Sequence, residues 1–559
     1  MGANLFDTLD GAGTGGGRAS WAARAPYRPE PGFDLNLLPL SPEWRADDEA
    51  VAELERIAAE PAVAEVLRED DAVRLRLDDG WVEATGQAAI AAAEAPDAHA
   101  DLAAERAYAI YFWGANTTKA LHIGHLRNLA IGNAIGAALT QAGAAVEHRS
   151  LICDVGRSMG EAMAGVVGSG QQPGGPDGDQ KSDHFVGWCY ADYVKSSREE
   201  GADDGAEDSV ARESSLYNDK ADELMNRVLR GDQEALELWS KTRAWVISGQ
   251  RKTLARLGVR FDEVIFESDY LPEVRELTNR GLAAGTLTRR YGDEMVMYET
   301  EREELEEMPL VRADGLPTQH MRALAYWAAA PELDDVISLQ VCGNEWVSHV
   351  TCRRQLIDAL GIENGNGNGS ARGGGPPTFD VFHGMVARGR ESISSSKEGA
   401  LLIDDLDEWL AAQLREPERR EALRDHPNPE ALPAQVALGF FLLQPAGKQV
   451  EFEPEKLLRG GKDSLGWDLA LAEAHRPSAP PLGGAAPADP AYRFAVVQSE
   501  MYRRHLGAVV EDFDTLSLSR FLSHFGRWYG EAERPPEVAA VVDAVLAQGR
   551  LGLGLEGAR

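Results

Sequence analysis

Two histidines separated by a glycine are the residues of this chain whose types and spacing best suggest chemistry: His122 and His125, with Gly124 between them. They follow the apolar run of residues 109–113 and open a stretch of small residues with helical character. A helix N-terminus carries unpaired N–H groups and a partial positive charge, and both favour bound phosphate. The turn therefore predicts a site for the phosphates of ATP, with activation of an acid by ATP as its chemistry.

The elements that must position this turn are strands and helices in alternation. From residue 107 to about residue 361 the order strand, glycine turn, helix repeats, which is typical of a parallel sheet with crossover helices. One predicted strand covers residues 146–153 and a later one covers residues 336–341. Because ligands of such sheets bind at the carboxyl ends of the strands, we expect these two ends to face the histidine turn.

The sequence on either side predicts smaller units. Residues 1–45 are rich in Gly, Ala and Pro, which is typical of a poorly ordered arm. A helix over residues 47–68, a strand over 72–77 and a helix over 86–95 are predicted next, and the pattern is helical again after residue 431. The expected domains are the arm at 1–45, a degenerate module at 46–100, a parallel-sheet domain at 101–430 with insertions near 168–183 and 364–377, and a shortened helical domain at 431–559.

Composition narrows the class of protein. The chain has 559 residues, no apolar run near the roughly 18 residues that span a bilayer, and no signal-like N-terminus, so we expect a cytoplasmic protein. Its four scattered cysteines form no Cys-x-x-Cys pair, which excludes a zinc knuckle of that kind and indicates reduced thiols. The net charge of −35 can reflect solubility or codon usage. The alternative explanation is that the protein has lost an RNA partner.

The run from Asn116 to Asn128, followed by Asp154-Val155-Gly156, resembles class I aminoacyl-tRNA synthetases and arginyl-tRNA synthetases in particular. Further segments occur in the order that this family shows, and the resemblance covers roughly residues 100–460. These segments are residues 184–190, 257–262, 267–270, 311–315, 383–386 and 399–406. The resemblance implies an α/β, Rossmann-like catalytic domain at 101–430, a small N-terminal α/β module and an all-helical, anticodon-binding-like C-terminal domain.

The same resemblance implies a reaction. ATP and an amino acid would form an aminoacyl adenylate, and the terminal ribose of a tRNA would then take the acyl group. His122 and His125 would bind the phosphates in the transition state, Gly124 would leave room for the adenine ring, and Mg²⁺ would arrive with the pyrophosphate group. Since no covalent nucleophile is needed, the rate would come from positioning and charge stabilisation.

A second class I signature, a mobile loop with lysines, is expected at residues 392–399. At the two positions where the family would place lysines, this chain has Ser392 and Ser395, so that Lys397 is the lysine left nearby. We expect Lys397 to take part in catalysis. Ser394 and Ser396 are the expected ATP contacts of this loop. A plain serine-rich turn is the alternative interpretation.

The amino-acid pocket departs further from the family pattern. Asn116 is retained for the substrate's α-amino group, and Asp154 is expected beside it. The family's guanidinium-reading Glu is replaced by Tyr111, and its Tyr and Asp by Gln319 and Ala323. A guanidinium needs planar carboxylate partners, so the resemblance implies an arginine site that has lost its charge. A misplaced alignment gap is the alternative, and the nearby aromatic and histidine residues are expected mainly in the core.

At the C-terminus, residues 519–529 and 541–546 resemble a shortened anticodon-binding domain. Phe521, Phe525 and Trp528 have the spacing of core residues rather than of a platform for base stacking.

The sequence as a whole predicts an arginyl-tRNA synthetase-like ligase that uses ATP and Mg²⁺. Its expected partners are an amino acid, with arginine as the family default, and tRNA, which is the family's acceptor. The acidic charge and the trimmed ends weaken the expectation that tRNA binds. We expect a monomer without a membrane partner. The alternatives are a biosynthetic paralogue that activates another amino acid and a non-catalytic descendant that binds tRNA or nucleotide.

Overall fold

The structure is a computed structural model. It describes residues 21–26, 28–30, 32–39, 48–68, 73–95, 97–174, 180–199, 219–290, 295–302, 305–329, 336–362, 378–388, 391–392, 401–475, 487–531 and 535–556. The predicted insertion at 364–377 and the first 20 residues of the predicted arm lie outside these ranges.

The N-terminal module is an antiparallel sheet of order β1-β2-β4-β3 covered by two helices. Its elements are β1 Trp21–Arg24, β2 Leu35–Pro39, α1 Asp48–Ala58, β3 Val63–Arg68, β4 Val73–Leu77 and α2 Asp79–Ala92. Two predictions are therefore wrong. The second half of the arm forms two strands because Ala23, Leu35 and Leu37 are buried, and the helix predicted at 47–68 ends early, its last part pairing with β4 instead.

A parallel sheet of order β12-β11-β5-β6-β7 forms the centre of the molecule, as the strand and helix alternation predicted. Its strands are β5 Ala107–Tyr111, β6 Ala145–Ile152, β7 Glu263–Phe266, β11 Val336–Gly343 and β12 Thr378–His383. Helix α3 (Ile123–Gln141) leads from β5 to β6, so β5 ends next to the start of α3. Asn128 fixes this arrangement, because it accepts a hydrogen bond from Trp113 N and donates one to Val341 O, both at 2.8 Å.

Helices fill the long connections of this sheet, and the same part of the chain contains two small three-stranded sheets. The helices are α4 Arg157–Ser169, α5 Ser182–Glu199, α6 Lys220–Leu229, α7 Gln233–Leu257, α8 Leu271–Ala284, α9 Gln319–Ala329 and α10 Val347–Ala359. The strands β8 Thr288–Arg290, β9 Met295–Arg302 and β10 Leu305–Val311 form one sheet, and β13 Val386–Arg388, β14 Glu391–Ser392 and β15 Val450–Glu451 form another. Around the predicted insertion at 168–183, α4 ends at Ser169 and α5 begins at Ser182.

The C-terminal part is helical, as predicted. Its helices, after α11 Ile403–Leu414 and α12 Pro417–Ala422, are α13 Leu432–Leu442, α14 Leu465–Ala474, α15 Pro490–Asp512, α16 Leu516–Gly530 and α17 Pro536–Gly552. Helices α13, α15 and α17 all pack on α3, and one apolar cluster runs through all three parts of the chain. A buried ion pair between Arg493 of α15 and Asp34 ties the N-terminal module to this region at 2.7 Å.

None of the helices described combines the length and the apolar character that crossing a bilayer requires. The four cysteines are free thiols, and three of them are buried.

Candidate ATP and amino-acid site

The histidine turn caps the N-terminus of α3. His122 is the N-cap residue, and its Nδ1 accepts a hydrogen bond from Gly124 N at 3.1 Å. Nδ1 of His125 in turn accepts one from His122 N at 3.1 Å. The two rings lie 3.9 Å apart between centroids. The sequence prediction that both imidazoles lie at a helix N-terminus is confirmed.

The protonation of these rings follows from their surroundings. Burial, helped by the nearby Lys119 ammonium, lowers the pKa of His125 to about 3, and burial also lowers the pKa of His122. Both rings are therefore neutral near pH 7. Because each Nδ1 accepts a main-chain hydrogen bond, the ring proton is on Nε2 in both residues. The turn offers two Nε2–H donors that carry no competing positive charge.

Gly124 is required by the turn itself. A Cβ atom at this position would lie 2.9 Å from Cε1 and 3.0 Å from Nδ1 of His122. The resemblance assigned Gly124 to making room for adenine, and the described contacts add a local reason. A side chain here would push the His122 ring off its N-cap position.

The segment that follows the expected lysine loop is attached directly to the histidine turn. Ile123 N donates to Leu401 O at 3.1 Å, and Ile403 N donates to Leu121 O at 3.0 Å, so His122 and Leu402 form an antiparallel bridge. Lys397, Ser394, Ser395 and Ser396 lie outside the described residues, and their assignment stays a prediction.

Arg127, one turn further along α3, is a site residue that the sequence analysis missed. Its fully buried guanidinium donates to main-chain oxygens in two loops, at 2.6 Å to Gly384 O, 2.7 Å to Lys448 O and 2.9 Å to both Pro445 O and Ala446 O. Burial lowers its pKa to about 10. Arg127 thus fixes the start of β13, the strand that leads to the expected lysine loop. The signal available in the sequence is a single arginine on a helix that has no other Lys, Arg, Asp or Glu.

Asn116 lies half-buried in the loop between β5 and α3. Gln250 of α7 holds this loop by donating to Asn116 O at 3.2 Å and to Lys119 O at 2.9 Å. These bonds use main-chain oxygens, so the Asn116 amide keeps its capacity for a ligand. The loop is close to the end of β6, since Thr117 N donates to Cys153 O at 3.1 Å.

Asp154 is fully buried behind this loop. Its carboxylate accepts from Ser268 N at 3.0 Å, Ser268 Oγ at 2.7 Å and Arg243 at 2.7 Å. These partners tie the end of β6 to the turn after β7 and to α7. The carboxylate is therefore placed to support the pocket rather than to meet a substrate amine directly.

Tyr111, the last residue of β5, is buried between two groups of the chain. It lies in register with Arg149 of β6, whose guanidinium donates to the Tyr111 hydroxyl at 3.2 Å. The Tyr326 hydroxyl of α9 donates to the same oxygen at 2.9 Å. Gln319 and Ala323 lie on α9 as well, both half-buried. The three residues predicted at the altered side-chain pocket therefore come from β5 and α9, two elements that pack together through Tyr111 and Tyr326.

The described residues include one cluster with the composition of a metal site, Asp183, His184 and Asp404. Lys181 Nζ already donates to Asp183 at 2.9 Å and to Asp404 at 2.7 Å, and Arg256 also pairs with Asp404. Burial works to raise the pKa of Asp404, but hydrogen bonds from His184 and Lys181 outweigh it and hold that pKa well below its usual range. Since two cations neutralise the acids, this cluster is an ion-pair network that anchors α11.

The C-terminal aromatic residues are in the core, as predicted. Phe525 is fully buried, Phe521 is 8% exposed and Trp528 is 4% exposed, and their rings stack on one another.

Comparison with known proteins agrees with this architecture. Residues 93–316 match the family model described as tRNA synthetases class I (R), catalytic domain. The arginine–tRNA ligase of Bacteroides thetaiotaomicron is 29% identical over 310 residues, which are 54% of this chain and 49% of that protein. That of Borrelia hermsii is 26% identical over 367 residues, covering 62% and 57%. The chain thus spans about half the length of the curated relatives it matches.

Solved structures match over the whole chain. Thermus thermophilus arginyl-tRNA synthetase gives a TM-score of 0.66 at 18% identity, covering 99% of this chain and 97% of that one. Plasmodium falciparum arginyl-tRNA synthetase gives 0.61 at 11% identity, covering 99% and 96%. At these identities the likeness shows the fold. Residues 93–316 are therefore similar to the catalytic domain of class I (R) tRNA synthetases, and the chain has the fold of the two solved arginyl-tRNA synthetases.

Proposed function

We propose that this protein activates an amino acid with ATP as the aminoacyl adenylate and transfers the acyl group to a tRNA. The observation that carries the proposal is the pair of neutral imidazoles at the start of α3, each with its Nε2–H free to donate. Donors held in place at a helix N-terminus stabilise the charge that develops on phosphate oxygens during adenylate formation. The relatives named arginine–tRNA ligase support this reaction type.

Asn116 is the residue proposed to bind the main-chain end of the amino acid. The Asn116 amide lies in the loop between β5 and the histidine turn, so it can hold the α-amino group while the carboxylate meets the α-phosphate. This loop binds Cys153 at the end of β6 through Thr117 N, and the next residue, Asp154, is held in place by Ser268 and Arg243. Holding both reactants in this geometry replaces a bimolecular encounter and needs no covalent intermediate on the protein.

We propose that Mg²⁺ binds to the triphosphate of ATP and would neutralise its charge. The Asp183, His184 and Asp404 cluster is not the site proposed for it, because Lys181 and Arg256 occupy the positions around these acids.

The helical C-terminal part is the proposed contact for tRNA, as its resemblance to the family's anticodon-binding domain suggests. A tRNA interface is made largely by phosphate contacts, so binding must weaken as salt rises. Measuring tRNA binding by filter retention from low to high salt tests this step. Binding that is absent even at low salt would favour an activator that works without tRNA.

A specific observation favours one alternative. The polar end of Tyr111 is bound by the chain's own guanidinium, Arg149, which suits a paralogue that activates an amino acid other than arginine. The non-catalytic alternative has no such support, because the chain retains both histidines proposed to bind phosphate.

Exchange of pyrophosphate into ATP, run with each common amino acid in the presence and absence of total tRNA, tests the central claim. We expect exchange that depends on one amino acid. If no amino acid supports exchange under either condition, the proposed activation is wrong.

A further inference from the structure

The side-chain pocket contains a cation of its own. Arg149 lies beside Tyr111 on the neighbouring strand, and its side chain is 8% exposed. Its guanidinium reaches the Tyr111 hydroxyl at 3.2 Å and lies 6.0 Å from the centre of that ring. A substrate guanidinium that approached Tyr111 would meet a fixed like charge in a region shielded from water.

The two carboxylates nearest to Arg149 are bound by it. Glu147 lies 2.7 Å away and Glu263 lies 3.2 Å away. Glu147 is two residues earlier on β6, so its carboxylate lies on the side away from the strand ends where ligands bind. Neither carboxylate can bind a cationic substrate unless its ion pair with Arg149 is broken first.

Two acids at the strand ends are bound by arginines in the same way. Asp154 pairs with Arg243 at 2.7 Å, and Glu267 pairs with Arg322 of α9 at 2.7 Å. Both arginines are themselves held in place: Arg322 is fully buried, and Arg243 stacks over Trp239. Glu345, an exposed acid, follows β11 and is therefore on the opposite side of β5 from Arg149.

Aromatic rings make up the rest of the surroundings of Tyr111. The Trp327 ring lies 4.9 Å from the Tyr111 ring, and the Tyr326 ring lies 6.1 Å from it. Tyr270 packs edge-on against Tyr326 at 5.1 Å. These surfaces suit an uncharged side chain, because a buried cation without a carboxylate loses its hydration and gains no partner.

We propose that the pocket selects an amino acid with an uncharged side chain and rejects arginine, with Arg149 as the specificity-determining residue. The proposal rests on the proposed function, since it concerns the amino acid that is activated at the same site. Arg149 acts through its fixed charge beside Tyr111 and takes no part in the chemical step.

The pyrophosphate exchange assay across the common amino acids tests this selection. We expect the highest kcat/KM for an uncharged amino acid and a value for arginine at least about 100-fold lower, on the scale of polar mismatches in enzyme pockets. If arginine or any other charged amino acid is the best substrate, the selection is wrong although the enzyme is active. If no amino acid supports exchange, the proposed function itself fails and the selection fails with it.

Variants of Arg149 test whether this residue sets the preference. In Arg149→Gln the ratio of kcat/KM for arginine to that for the best uncharged amino acid should rise at least about tenfold, whereas Arg149→Lys, which keeps the charge, should leave it near the wild-type value. Glu147 and Glu263 are each nearly half exposed, so water can solvate them once the guanidinium is removed. A merely structural role would lower both kcat/KM values together, and an unchanged ratio in Arg149→Gln would remove the assignment.

Glu273 of α8 provides the matched control. Its buried Oε2 has no hydrogen-bond partner among the described residues, and Glu273 lies near Tyr270, which makes it a candidate cation site. We expect Glu273→Gln to leave the amino-acid preference unchanged. If the wild type supports exchange with arginine and Glu273→Gln alone abolishes that exchange, a carboxylate site for cations exists. This outcome overturns the proposal.

Discussion

His122 and His125 together cap the N-terminus of α3 through two hydrogen bonds. His122 N donates to Nδ1 of His125 at 3.1 Å, and Nδ1 of His122 accepts from Gly124 N. The hydrogen bonds that cap the start of α3 therefore also fix the tautomer of both rings. The hydrogen bonds that start the helix also orient the two Nε2–H groups proposed to bind phosphate, so a change in either ring affects both.

Replacing His125 with alanine should slow adenylate formation by roughly 10- to 1,000-fold, the scale for losing one transition-state donor. Single-turnover formation of adenylate measures this step separately from acyl transfer. His125→Asn keeps an N–H donor and a cap acceptor on a shorter side chain, so it should retain more activity than the alanine variant. Equal rates for wild type and His125→Ala would remove the assigned role.

Gly124→Ala should also slow adenylate formation, because its Cβ would lie 2.9 Å from the His122 ring. Gly168→Ala is the matched control. Gly168 is near the end of α4 with nothing within 4 Å of the added Cβ, so this change should leave activity unchanged. Exchange rates and melting temperatures of both variants distinguish a displaced ring from a general loss of stability.

The histidine turn and the parallel sheet could be predicted because each is encoded locally, by a cap motif and by alternating strand and helix patterns. Residues 21–24 and 35–39 could not be recognised as strands, since β1 is stabilised by pairing with β2 and β2 by pairing with β4, far along the chain. In residues 63–68 the less exposed residues recur every three positions, as in a helix, and the segment forms a strand by pairing with β4. Tertiary pairing overrides weak local preference in such segments.

The site residues likewise divide into those that a local motif predicts and those whose contacts depend on the fold. Asn116, His122 and His125 follow from a contiguous motif, but the contacts of Arg127 and Arg149 depend on loops and strands that only the fold brings together. The sequence shows that Tyr111 is not a carboxylate. It does not show that a guanidinium from the next strand already binds the tyrosine.

Arg127→Met should lower the free energy of unfolding by at least about 3 kcal/mol, because it removes a buried guanidinium that donates to one buried and three part-buried carbonyl oxygens in two loops. Urea denaturation followed by circular dichroism measures the change. Arg424→Met, at an exposed pair with Glu421, should leave the urea midpoint unchanged. Equal midpoints for wild type and Arg127→Met would show that water replaces the guanidinium, contrary to its full burial.

Stability should fall as the solution is acidified, in part because of His320. Burial, the neighbouring His349 and two arginines lower the pKa of His320 to about 3, whereas a histidine in the unfolded chain has a pKa near 6.5. Below about pH 6.5 the unfolded chain binds a proton that the folded chain does not, so this contribution is present at pH 7 and is lost towards pH 3. Between pH 7 and pH 5 it amounts to about 2 kcal/mol.

Urea denaturation of wild type and His320→Gln at both pH values isolates that contribution. The loss of stability between pH 7 and pH 5 should be smaller by about 2 kcal/mol in the variant. His475→Gln, at an exposed histidine, should retain the wild-type dependence. If the variant is as acid-sensitive as the wild type, His320 takes up its proton in the folded protein, despite its burial and the His349 ring 4.5 Å away.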